Sequence, residues 1–336
     1  MSRPKVAFAM QPPRTEHVIS AEALATLAGC CDILSREPMT EFASAGAGDL
    51  LAGTEILVTG WGSPPVDAAA LAKAPKLRLI AHAAGTVKGL IDTAAYDAGV
   101  VVTHAAQANA LPVAEYTLAA IIFAGKQVFR FRDVYAADRD RRRSAAMQAG
   151  AIGNYRRIVG IVGASRIGRR VIELLRPFNF RIVLFDPMVT GQQAAELGVE
   201  KVDLDALMKL SDIVSLHAPS LASTRHMIGR RQLDLMKDGA TLINTARGAI
   251  VDQDALVEVL KTGRIDAVLD VTEPEIPEET SPLYSLPNVF LTPHIAGAIG
   301  LERARLGEMA ADEIARFVAG KPLLYEIRKS DLERMA

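Results

Sequence analysis

The chain has 336 residues, of which 50% are apolar and 23% charged; at a norm of roughly 150 residues per domain this is material for two cores, in the composition of a globular protein. Lys and Arg number 38 against 39 Asp and Glu, a formal charge of −1, which supplies neither the basic footprint of a nucleic-acid binder nor a polybasic membrane signal. Cys30 and Cys31 are adjacent and close no loop, so a reducing compartment, the cytoplasm by default, is expected.

The N-terminal apolar run is too short for a signal-peptide core. In chain order, KVAFAM (5–10), EILVTG (55–60), LRLIAHA (77–83) and VVVTHA (100–105) predict buried strands. AEALATLAG (21–29) and DAAALAKA (67–74) between them predict helices. A longer helix is predicted from Asn109, as N-cap, through 111–127, with Pro112 in the first turn where its missing N–H has no partner to lose. Glu115 interrupts its apolar run, which reads as short of a membrane span. Residues 130–143 carry six arginines and three aspartates. The mixed signs predict a solvated helical arm, with anion binding as the alternative that the aspartates dilute.

A second series of strands is predicted at 156–163, 181–186, 212–218, 240–246, 266–271 and 289–294, followed by an amphipathic helix over 301–320. Strands alternating with helices predict an α/β protein with two Rossmann-like, doubly wound parallel-sheet domains. Residues 1–107 with 298–336 are expected to form one domain and 108–297 the other.

The sharpest local signal is IVGIVGASRIGRRVIELL (158–175), a strand, a glycine turn and a helix. Gly163 allows the turn, Gly168 lets the helix pack closely, and the backbone of Ser165, Arg166 and Ile167 between them can face a pyrophosphate. Ser165 stands where the usual motif has its middle glycine, with a Cβ where the backbone approaches the phosphates. The next strand ends in Asp186, eighteen residues past Gly168, the place of a ribose-binding carboxylate. No Arg or Lys follows in Pro187-Met188-Val189, so NAD is favoured over NADP. No metal site is expected.

GIVGASRIG (160–168), DIVSLHAPSLASTRHMIG (212–229), LINTARGAIVDQDAL (242–256) and LDVTEPE…LTPHIAGA (269–298) together resemble the D-isomer-specific 2-hydroxyacid dehydrogenases. AHAAGTVKGLID (81–92) and ANALPVAEYTLA (108–119) resemble them more loosely. The resemblance implies NAD-dependent interconversion of a 2-hydroxy acid and a 2-oxo acid in an active-site cleft between the domains. It places Arg247 on the substrate carboxylate and C2 oxygen, His294 as acid/base, and Glu275 beside it, where a carboxylate favours the imidazolium. It puts Asp270 on the nicotinamide carboxamide, the backbone of Thr245 and Ala246 beside the same ring, Pro219 and Thr224 along the dinucleotide, and His217 on the cofactor side as a structural group. Singly, each has a duller competitor: an ion pair for Arg247, another glutamate of EPEIPEETSP for Glu275, a turn cap for His294.

The resemblance also assigns the substrate carboxylate to the backbone of Gly85, Thr86 and Val87. Here Val87 and Lys88 depart from the family's A-G-V-G-Y-D-N-I-D and would alter the wall. Lys88 is either solvated or a cation for a second anionic group, and Trp61 is either a packing residue or a substrate-facing wall. The partners expected are thus a small 2-hydroxy or 2-oxo acid and, from the family, a second copy in a homodimer; no nucleic acid and no membrane. Alternatives are a phosphoglycerate or phosphite dehydrogenase of the same family, or a non-enzymatic NAD-sensing protein.

Overall fold

A computed structural model describes residues 3–334. The chain divides into two compact units, Met1–Asn109 with Ala298–Ala336, and Ala110–Gly297.

The first unit holds β1 (Lys5–Ala9), β2 (Asp32–Ile33), β3 (Ile56–Thr59), β4 (Leu79–His82) and β5 (Val101–His104), all parallel in the order β2-β1-β3-β4-β5. Its inner strands are continuous apolar runs because helices cover both faces. Alternate residues divide between two cores. Val6, Phe8, Ile56, Val58 and Leu79 pack with Leu27, Leu306 and Ile314, and Ala7, Leu57, Ile80 and Val102 pack with Leu51, Ala70 and Ala95. The helix Ala21–Cys30 has a buried thiol at its C-cap, Cys31, which burial pushes up to about 12.

The second unit holds β6 (Ile158–Val162), β7 (Arg181–Phe185), β8 (Glu200–Lys201), β9 (Ile213–Leu216), β10 (Thr241–Asn244), β11 (Asp266–Leu269) and β12 (Val289–Leu291). They form one parallel sheet in the order β12-β11-β10-β9-β6-β7-β8. Strand order reverses at β9/β6, the switch point where the carboxyl ends of an open α/β sheet leave a crevice for ligands.

Four features differ from expectation. β2 and β8 are two-residue strands with no apolar run to announce them. The long helix is Ala106–Gly125, so Asn109 lies inside it and Pro112 beyond its first turn. Asn109 does not cap that helix; its Oδ1 accepts from the Ala298 N–H at 3.0 Å. This helix is also long and apolar enough to cross a membrane by length and composition, against the expectation of a short run, although 56% of its apolar window is buried inside the protein. The charged arm is two helices, Val128–Asp138 and Arg142–Met147, parted at Arg139 with φ 49°.

Candidate functional site

Strand order puts two groups of loops on the carboxyl edge of the second unit's sheet. Those after β9, β6 and β7 flank the switch point, and those after β10, β11 and β12 form the neighbouring row.

At the switch point Gly163 has φ 98°, and a Cβ there would stand 2.7 Å from the Ala218 nitrogen, so the turn after β6 and the loop after β9 touch through a position only glycine fills. Ser165 is the N-cap of the helix Arg166–Leu175, its hydroxyl accepting from the Gly168 N–H at 3.3 Å. The Cβ at this departure from the motif is therefore accommodated by capping. The Arg166 and Ile167 N–H groups belong to the first turn, which a helix leaves without intrahelical partners. Asp186 braces the same turn: Oδ2 accepts from the Ala164 N–H at 2.7 Å and Oδ1 from the Met188 N–H at 2.8 Å. Each oxygen keeps lone pairs for a ribose hydroxyl. Free helix-start N–H groups beside a carboxylate at the next strand end are the donor and acceptor set that a dinucleotide needs.

His217 lies beneath, 3% exposed, with Nε2 2.9 Å from the Ser215 hydroxyl and Nδ1 without a hydrogen-bond partner among the described residues. Burial pushes its pKa down to about 3, so the ring is neutral. Thr224 closes its own loop, donating to the Pro219 carbonyl at 2.6 Å. In the first unit burial and the neighbouring His104 push His82, whose Nδ1 is 2.9 Å from the Thr59 hydroxyl, down to about 4.

Both shifts couple folding to pH. The unfolded chain binds protons as pH falls below about 6.5 while the folded chain does not. The two histidines therefore cost no stability above that pH, and each removes about 1.4 kcal/mol per pH unit below it, down to its folded value. Urea unfolding should become easier between pH 6.5 and 5; a flat series over that window would contradict the assignment of neutral buried rings.

In the second row, Arg247 follows β10 in extended backbone and donates to the Ala246 carbonyl at 2.7 Å, its other donors remaining for a ligand. Asn244, 1% exposed, holds this turn by donating to the Arg247 carbonyl at 3.0 Å and accepting from the Ala246 N–H at 3.1 Å. The Thr245 hydroxyl, also buried, is 2.9 Å from that of Thr117. A Cβ on Gly248 would lie 2.1 Å from the Thr272 carbonyl carbon, so glycine lets the Arg247 turn press against the loop that carries Glu275. Glu275 Oε1 stands 2.5 Å from His294 Nδ1, both side chains about half exposed. Among the glutamates of its loop, Glu275 is thus the one that meets the imidazole.

His294 adopts φ 56°, which a side chain rarely takes without support from its surroundings. That support comes from Asp270. Its carbonyl accepts from the His294 N–H at 2.9 Å, and its carboxylate accepts from Ile295 and Ala296 N–H at 2.8 and 2.9 Å. Asp270 is 1% exposed; its carboxylate, expected on the nicotinamide, is engaged by the protein's own backbone. Asn244, Thr117, Thr292 and Tyr116 were not singled out by the sequence. The hydroxyls of Thr117, Thr292 and Tyr116 meet partners distant in the chain, whereas Asn244 bonds within its own turn and stands inside a recognised motif.

In the first unit Gly85 and Thr86 are half-buried after β4, and Lys88 is exposed. The Val87 side chain, expected to alter a wall, is instead fully buried in the core with Ile80 and Val102, and its carbonyl accepts from the Leu90 and Ile91 N–H groups at 3.1 Å. Trp61 is half-buried against the other core, with the Arg303 guanidinium 5.9 Å from its ring centroid.

Residues 119–296 match the family model described as D-isomer specific 2-hydroxyacid dehydrogenase, NAD binding domain. The chain is 32% identical over 277 residues to D-3-phosphoglycerate dehydrogenase of Archaeoglobus fulgidus, covering 80% of this chain and 52% of that one. It is 37% identical over 258 residues to glyoxylate reductase of Korarchaeum cryptofilum, covering 76% and 78%. The chain thus spans about half the length of the phosphoglycerate dehydrogenases it matches. Among solved structures, apo D-mandelate dehydrogenase of Rhodotorula graminis superposes with a TM-score of 0.79 at 25% identity, covering 97% and 98% of the two chains.

Proposed function

The chain belongs to the D-isomer specific 2-hydroxyacid dehydrogenases, and we propose that it interconverts a 2-hydroxy acid and the corresponding 2-oxo acid with NAD. The observation that carries this is the 2.5 Å Glu275–His294 pair, which joins the loop after β11, where Asp270 stands, to the end of β12, in the same row as Arg247 after β10. NAD, when bound, supplies the hydride acceptor for oxidation or, reduced, the donor for reduction. The turn 163–168 holds its diphosphate and Asp186 its ribose. His294 gives a proton to the C2 oxygen during reduction and takes it back during oxidation, and Glu275 holds the ring through its Nδ1. Arg247 binds carboxylate and C2 oxygen through its planar fork. A panel of 2-oxo acids, followed by NADH absorbance, tests this. No turnover of any of them would overturn it in favour of an NAD-binding protein without catalysis.

Asp186 repels a 2′-phosphate, so catalytic efficiency should favour NAD over NADP, and Asp186→Ala should narrow the gap. Equal efficiency with both cofactors in the unmutated protein would remove this role. We also propose a cytoplasmic homodimer, supported by exposed Phe123 and Tyr135 on the long helix and the charged arm. Light scattering at micromolar concentration should give twice the chain mass; a monomer would contradict it.

A further inference from the structure

His294 is held in a conformation that its own side chain disfavours, and the supporting contacts run deeper than Asp270. Asp270 Oδ1 accepts from the Ile295 N–H and also from the Thr292 hydroxyl at 2.7 Å. The Thr292 oxygen lies 2.8 Å from the hydroxyl of Tyr116, on the helix Ala106–Gly125. A threonine hydroxyl has one proton. Because that proton is committed to a carboxylate, which only accepts, Tyr116 donates to Thr292. Burial pushes the Tyr116 phenol up, which keeps that proton in place. The chain of bonds therefore has one direction, Tyr116 to Thr292 to Asp270, and ends on a carboxylate that also accepts from two successive backbone N–H groups immediately after His294.

We propose that Tyr116 and Thr292 are positioning residues that act through Asp270. By fixing the buried carboxylate they fix the left-handed turn at 294, and with it the imidazole against Glu275. The physical reason is the arrangement of N–H groups. With φ positive at His294, the N–H groups of 295 and 296 converge on one point, an anion-sized concavity that the Asp270 carboxylate fills. That carboxylate is 1% exposed, so water cannot replace a lost donor, and an incompletely satisfied carboxylate in such a place is costly. Without the Thr292 hydroxyl, the carboxylate can rotate and release the turn.

This rests on the function proposed above, and the test separates the two. Thr292→Val removes the hydroxyl at nearly constant shape; Thr292→Ser retains it; Tyr116→Phe removes the outer donor alone. Expected for Thr292→Val is a fall in kcat of about ten- to a hundredfold at unchanged NADH affinity, with Thr292→Ser near normal and Tyr116→Phe between them. Amide hydrogen exchange at Ile295 and Ala296, which needs no substrate, should quicken in the same order. Normal kcat with a lowered melting temperature would overturn the proposal in favour of a merely structural bond. Weaker NADH binding with unchanged kcat at saturation would overturn it in favour of a cofactor role. If the unmutated protein turned over no 2-oxo acid, the functional assignment would fail, and exchange at 295–296 would still decide the positioning: faster exchange supports it, unchanged exchange overturns it.

Discussion

His294→Ala is expected to lower turnover of 2-oxo acids by about 10²–10⁴-fold and to leave NADH binding, read by fluorescence, unchanged. Nδ1 of the ring is held by Glu275 at 2.5 Å, so Nε2 is the nitrogen left to exchange a proton with substrate. Alanine removes that exchange and nothing of the dinucleotide cradle, which sits on the ends of β6 and β7. In sheet order β11, β10 and β9 separate those strands from the strand that leads to His294. Near-normal turnover would show that another group carries the proton. Glu275→Gln keeps the shape and removes the charge, so its loss should be smaller, as both side chains are about half exposed and partly screened. A variant as impaired as His294→Ala would mean that Glu275 itself takes part in proton transfer.

Arg247→Lys should cost roughly 2–4 kcal/mol of transition-state stabilisation, the scale for loss of one well-placed oxyanion donor. In kcat/KM this is about 30- to 1,000-fold. One guanidinium N–H is already spent on the Ala246 carbonyl at 2.7 Å, and that bond orients the remaining fork. An ammonium cannot keep this carbonyl and also offer two parallel donors to a carboxylate. The backbone beneath is fixed on both sides, by Asn244 at the Arg247 carbonyl and by the approach of Thr272 to Gly248, so the turn cannot shift to bring a lysine into place. Arg181→Lys, at an exposed pair with Glu200, serves as the control. A loss at 247 no greater than at 181 would remove Arg247 from the substrate.

The ten longer strands were legible as largely apolar runs because a sheet covered on both faces buries most of each inner strand, and burial demands apolar side chains. β2 and β8 were not, since two residues at a sheet edge, none of them fully buried, carry no such demand. The glycine turn was legible for the same kind of reason: Gly163 and Gly168 mark places where a Cβ would strike backbone, a constraint local enough to show in the residue type. The start of the long helix was misread because Asn109, a good cap by type, spends its oxygen on Ala298, 189 residues away. Likewise His294 and Glu275 could be named from the order of motifs, but four glutamates in one loop look alike until the fold brings a single one to the imidazole. Asp270 shows the limit most clearly. A carboxylate at a strand end gives no sign of which protein groups it will hold. Those partners are set by the left-handed turn at 294, which aims successive N–H groups at the carboxylate, and by Thr292 and Tyr116 arriving from other elements. Residue types and their spacing determined which strands and turns form; which polar groups meet was decided by tertiary structure, because a hydrogen bond depends on positions that only the packed chain defines.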